Sequence, residues 1–176
     1  MDSSLNSIIE ENLNILKSRG ATKWTGSKYE AVKTSSRTVI GDFGEHTLVD
    51  LFNSLGLVAK IVNKGRGDFD ILLLNPLSGK SIKIEVKTAT EDVNRNFQFN
   101  GIKKGIDYDC VFCLGIAPSE MFFGIFPREL CEEKLTTNMS KGVTGSYKMT
   151  ASLRHSVWGL VPLTRGALKK EIYKYV

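Results

Sequence analysis

Phe69-Asp70-Ile71-Leu72-Leu73-Leu74-Asn75-Pro76-Leu77-Ser78-Gly79-Lys80-Ser81-Ile82-Lys83-Ile84-Glu85-Val86-Lys87-Thr88 is the stretch that decides the fold. An apolar run over residues 69–74 meets turn chemistry at Asn75-Pro76-Leu77-Ser78-Gly79, and a second strand-like run covers 81–88. So short a turn pairs the two runs as an antiparallel hairpin. In the second run Ile82, Ile84 and Val86 alternate with Lys83, Glu85 and Lys87. Alternation sends the apolar side chains to one face and the charged ones to the other. Glu85 and Lys87 therefore point the same way, and the hairpin folds Asp70 back beside them.

Outward from the hairpin, residues 57–62 predict a strand before it, and 109–116 and 121–126 predict two more after it, joined through Pro118-Ser119. The segment 97–102 is ambiguous. Leu48, Leu51, Phe52 and Leu55 share one helical face, which predicts a helix from about Asp42 to Leu55 closed by Gly56. Pro127 suits the first position of a short helix over 128–135. Near the N-terminus Leu5, Ile8, Ile9, Leu13 and Leu16 recur at near-helical spacing, giving a helix over 4–19 that Gly20 ends. The stretch 21–37 is polar, 136–161 resists assignment, and the last ten residues read as a basic helix. The expected fold class is α/β, a mixed central β-sheet flanked by helices.

With 176 residues, 41% hydrophobic and 24% charged, the chain suits one globular domain with a real core. No apolar run approaches the length of a membrane span, so no membrane partner is expected. Met1-Asp2-Ser3-Ser4 opens no basic leader with an apolar stretch behind it, and three Cys are too few for a disulfide framework; a cytoplasmic location is the expectation. Net charge is +5 and the pI is near 9.1, a balance that favours anionic partners. Gly65-Arg66-Gly67 lacks the Gly-Lys-Ser/Thr ending of a phosphate loop, so no nucleotide cofactor is expected. Cys110-Val111-Phe112-Cys113 resembles half a zinc knuckle, but in a strand its two thiols face opposite ways.

Two carboxylates and an amine at one mouth suit phosphodiester hydrolysis. The reaction needs a hard cation near the scissile phosphate, and Mg²⁺ takes oxygen ligands, commonly one or two carboxylates with water and phosphate. Asp70 and Glu85 can supply those oxygens. Lys87 can orient the attacking water or offset charge in the transition state. The pattern resembles the PD-(D/E)XK nuclease superfamily, whose hairpin carries an Asp on one strand and Glu-x-Lys on the next. Glu85-Val86-Lys87 matches the second half. Gly67-Asp68-Phe69-Asp70 stands where Pro-Asp is common, so two aspartates compete; Asp70 is preferred because it abuts the apolar strand, with Asp68 the runner-up. A second Glu-x-Lys, Glu132-Glu133-Lys134, falls on a predicted helix, where i and i+2 do not share a face.

The resemblance covers roughly residues 41–126 and carries further expectations. Glu45, on the helix before the hairpin, matches an additional metal-shell glutamate. Gln98 and the pair Lys103-Lys104 fall where some relatives handle phosphate or water. Asn138, Lys141, Lys148 and Arg154 lie in a donor-rich stretch suited to DNA contacts, with Ser146 and His155 alongside. Residues 4–19 and 136–176 are expected to serve recognition or dimerisation. The resemblance implies a Mg²⁺-dependent endonuclease acting on double-stranded DNA, foremost a type II restriction endonuclease, and such enzymes are commonly homodimers. A junction-resolving repair nuclease and a non-catalytic DNA-binding module of the same fold are the alternatives.

Overall fold

In the computed structural model, which describes residues 23–62, 68–137, 146–153 and 157–176, the hairpin forms as the turn chemistry requires. Strand β2 (Ile71–Leu74) pairs antiparallel with β3 (Ser81–Thr90), Ile71 opposite Ile84 and Leu74 opposite Ser81. The Asn75 side chain accepts the Leu77 N–H at 3.0 Å, and the Asn75 carbonyl accepts the Gly79 N–H at 2.8 Å. Gly79 takes φ +72°, a left-handed conformation that favours glycine. The turn is thus closed by local bonds alone.

Strand β1 (Val58–Ile61) lies outside β2, and β4 (Asn96–Lys103) leaves the sheet altogether. β5 (Cys110–Ile116) then returns to pair with β3 in parallel, followed antiparallel by β6 (Met121–Pro127). Among the described residues the order of the main sheet is β1-β2-β3-β5-β6 and then, at the edge, β9 (Val161–Pro162), mixed but mostly antiparallel. A second sheet joins β4 to β8 (Ser146–Ser152) and β7 (Thr136–Thr137). These strands occupy much of the stretch that resisted assignment. The fold class is the expected one, α/β with a central sheet flanked by helices.

Two apolar layers sandwich the main sheet. On one face Ile82, Ile84 and Val86 of β3 meet Phe112 and Leu114 of β5. Helix α2 (Arg37–Ser54) covers them with Leu48 and Phe52, and α4 (Arg165–Ile172) with Leu168 and Ile172. Phe112 stacks on Phe123 at 5.6 Å and takes the Phe52 edge at 5.9 Å. On the other face Val111 and Cys113 pack on Phe97 and Phe99 of β4, Met149 of β8, and Cys131 of α3 (Arg128–Lys134). β5 is buried throughout, as expected of a strand covered on both faces.

Helix α2 starts at Arg37, about a turn before the expected Asp42. Ser36 caps it, its hydroxyl accepting the Val39 N–H at 3.4 Å. The first turn, with an exposed Val39, carries no inward apolar residue, so periodicity does not reveal it. The supposedly polar stretch before it contains α1 (Glu30–Thr34), and its Trp24 is buried in the core. At the far end of α2 the Arg165 guanidinium donates to the Ser54 carbonyl at 2.6 Å and the Tyr173 hydroxyl to that of Leu55 at 3.2 Å, tying α4 to the helix C-terminus. The expected helix over 4–19 and Gly65-Arg66-Gly67 lie outside the described residues. No helix among those described is long and apolar enough to cross a membrane.

Candidate active site

Glu85 and Lys87 project from one face of β3, and their side chains form an ion pair between Oε1 and Nζ with only 9% and 20% exposure. Asp70 immediately precedes β2, whose first residue, Ile71, pairs with Ile84 next to Glu85. Three bonds hold Asp70 there. Its N–H donates to the Ile84 carbonyl at 2.9 Å, and its carbonyl accepts the Val62 N–H at 2.8 Å. Its side-chain Oδ2 accepts the Val86 N–H at 2.7 Å. The carboxylate is therefore fastened to the backbone between Glu85 and Lys87. Asp68 is exposed and sits in the field of Lys83 with Asp107 and Asp109. Of the two competing aspartates, Asp70 joins the cluster.

The electrostatics follow from burial. Desolvation pushes the Glu85 carboxyl above its ordinary value; Lys87 pulls it back, Asp70 pushes it further up, and Lys103 draws it down. Two carboxylates thus adjoin in a poorly solvated place, with Lys87 paired to one of them and Lys103 acting from further off.

A cleft of about 600 Å³ opens beside the cluster, lined by Asp70 and Lys87 but not Glu85, by Thr88 and Thr90 further along β3, and by α2 and β4. From α2 come Arg37, Gly41 and Glu45, one helical face at successive i+4 steps. Gly44 makes this possible: it is buried against Thr88, and a Cβ there would lie on the Thr88 hydroxyl. Close approach of helix to strand brings Glu45 to the cleft. The Thr88 hydroxyl itself is buried with no hydrogen-bond partner among the described residues. From β4 come Gln98 and Asn100, whose neighbours Phe97 and Phe99 are anchored in the core on the opposite face.

Asp70, Lys87, Glu45 and Gln98 thus line one cleft. Among the described residues no three acidic, histidine or cysteine side chains form a group that could hold a metal ion by themselves. Glu45 lines the cleft from the helix wall. Lys103 faces Glu85 electrostatically. Lys104 is engaged elsewhere: its ammonium donates to the Glu132 carbonyl at 2.6 Å and lies 4.5 Å from the Tyr147 ring centroid, closing the end of α3. Lys148 lies opposite Asn100 in the second sheet. Asn138, Lys141, Arg154 and His155 lie outside the described residues.

The cleft also takes in Arg37, Asp92 and Asn100, which the sequence reading passed over. Arg37 stands eight residues before Glu45, so a longer helix would have placed it on that face. Cys110, Cys113 and Cys131 are free and buried, with Cys110 and Cys113 in opposite layers of the core. Burial pushes the Cys131 thiol up to about 12, far from the thiolate that zinc binds.

Neither a protein-family model nor a curated protein matches the sequence. Among solved structures the chain is similar to a bacterial homing endonuclease, I-Ssp6803I, with a TM-score of 0.50, 14% identity, 81% of this chain covered and 95% of that one. At that identity the likeness is one of fold: the central sheet and its helices follow the arrangement of an endonuclease structure.

Proposed function

We propose that the chain is a Mg²⁺-dependent endonuclease of double-stranded DNA with the chemistry of the PD-(D/E)XK superfamily, and that it acts as a site-specific type II restriction enzyme. The observation that carries this reading is the half-buried cluster of Asp70, Glu85 and Lys87, of which Asp70 and Lys87 line a cleft and Glu85 is buried beside them. The donor chemistry fits a hard cation: two carboxylates adjoin in a poorly solvated place, and burial and Asp70 together hold the Glu85 carboxyl above its ordinary value despite Lys87 and Lys103. Asp70 and Glu85 would hold Mg²⁺, which when bound supplies positive charge at the phosphate and acidifies water. Lys87 keeps an ammonium at the same mouth, where it steadies the attacking water and offsets charge that builds on the phosphate oxygens. Glu45, on the opposite wall, is placed to hydrogen-bond water around the cation.

DNA would lie over the cleft, with Arg37, Lys103 and Lys148 as phosphate contacts and the segment carrying Asn138, Lys141 and Arg154 as the reader of bases. Cutting both strands of a symmetric site would call for a homodimer. The fold neighbour, described as a homing endonuclease, favours a second reading within the same chemistry, cleavage at a rarer target.

The test is incubation of the purified protein with plasmid and Mg²⁺, with and without chelator. Chelator-sensitive, discrete fragments are expected. Frequent cuts in unmodified genomic DNA favour restriction, a single rare site favours homing, and cleavage confined to branched DNA would point to junction resolution. Binding without metal-dependent nicking would reduce the protein to a DNA-binding module.

A further inference from the structure

Asp92 stands where β3 turns into β4, on the rim of the cleft. Its Oδ1 accepts the N–H groups of Asn94 at 2.8 Å and Asn96 at 2.9 Å. Its N–H donates to the Asn96 carbonyl at 2.9 Å, so the turn is closed from both sides. The second carboxylate oxygen, Oδ2, receives the side-chain Nε2 of Gln98 at 3.4 Å. An ionised carboxylate can only accept, so Gln98 must turn its NH₂ to Asp92. The amide oxygen of Gln98 is then left on the other side of the group. Phe97 and Phe99, both buried, fix the strand that carries it.

We infer that Asp92 is a positioning residue: it holds the Gln98 amide with its oxygen presented to the cleft, where it serves the cation-bearing mouth as an uncharged oxygen donor. The inference rests on the Mg²⁺ reading above. Among the described residues no third acidic or histidine ligand groups with Asp70 and Glu85. Partners of this kind, one step removed from a cation, typically change affinity or activity by about 10- to 100-fold when altered.

The test is an exchange of hydrogen-bond polarity. Asp92→Asn keeps an oxygen for the two turn amides but puts an NH₂ group opposite Gln98, which then offers its oxygen to Asn and its NH₂ to the cleft. Mg²⁺ affinity of the DNA-free protein by calorimetry, and plasmid nicking, should each fall about 10- to 100-fold. Gln98→Leu, which leaves the turn intact, should lose as much. Adding Gln98→Glu to Asp92→Asn lets the NH₂ group grip one new carboxylate oxygen and leaves the other in the cleft, so both properties should recover. The side-chain amide signals of Gln98 in a ¹H–¹⁵N spectrum should move in Asp92→Asn with no metal present. An Asp92→Asn protein that binds Mg²⁺ and nicks like the wild type overturns the inference alone, as does a loss that the double variant does not recover. A wild-type protein that neither binds Mg²⁺ nor nicks overturns it together with the proposed function.

Discussion

Lys83 and Lys87 stand on the same face of β3, four residues apart, each beside carboxylates. Lys83 pairs with Asp107 at 2.5 Å, and the Lys83 N–H donates to Asp109 at 2.7 Å, with Asp68 close enough to be felt. Lys87 pairs with Glu85 beside Asp70. In composition the first cluster is the more acidic. It differs in solvent: the Lys83 and Asp107 side chains are 37% and 63% exposed, against 20% and 9% for Lys87 and Glu85. Water screens the first group, and an exposed ion pair of that kind does little. Burial denies the second group that screening, so a surplus carboxylate there is a standing demand for positive charge. Spacing on a strand nominates a site; desolvation distinguishes it from an ordinary polar face.

The sharpest way to break this contrast is to strip both clusters. Asp70→Ala, Glu85→Ala and Lys87→Ala should each lower plasmid nicking by roughly 10³-fold or more while circular dichroism stays native. Lys87→Ala should still shift DNA in a gel. Lys83→Ala and Asp107→Ala should stay within about twofold, as expected of surface substitutions. Equal losses in the two sets would end the distinction.

A smaller effect tests how the cleft is walled. Gly44→Ala puts a methyl group onto the Thr88 hydroxyl. Overpacking of this kind costs about 1–3 kcal/mol in urea unfolding. Adding Thr88→Ala removes the hydroxyl and should return much of that loss, a coupling that a double-mutant cycle would register.

Smaller still are shifts in titration. Glu85 should titrate above its ordinary 4.5 by carboxylate ¹³C NMR. Asp70→Asn should lower that pKa by removing a like charge, and Lys87→Ala should raise it. Since the folded-state pKa is the higher one, this group's contribution to stability is full at low pH and is lost as pH rises through it. Nicking runs the other way, falling as pH drops through the same value because the charged form is the working one. Least of all should Glu132→Gln or Lys134→Ala change nicking, since that Glu-x-Lys lies on α3 with Lys134 paired to Glu133 at the surface.

What could be read from the sequence was local. Asn75 to Gly79 closes its own turn and Ile82 to Lys87 alternate without help from elsewhere, so the hairpin and the Asp70–Glu85–Lys87 cluster were legible. The choice of Asp70 over Asp68 depended on register, which the apolar start of β2 signalled. The second sheet was not legible, because β8 sets Met149 and Ala151 into the core among mostly polar residues and pairs with β4, some fifty positions away. The start of α2 was hidden because its first turn faces solvent and the cleft, where periodicity carries no apolar signal. The engagement of Lys104 depends on where α3 ends, and the approach of Glu45 on a glycine–threonine contact between distant elements. Such facts arise from packing and leave little trace in spacing.

The most direct test of the central claim is a titration of the DNA-free protein with Mn²⁺, standing in for Mg²⁺, followed by paramagnetic broadening of backbone amide signals. The expected result is broadening centred on Asp70, Glu85 and Val86, with Lys83, Asp107 and Asp109 sharp at the same metal concentration. Broadening centred on the exposed Lys83 cluster, or spread evenly over the acidic surface, would contradict it.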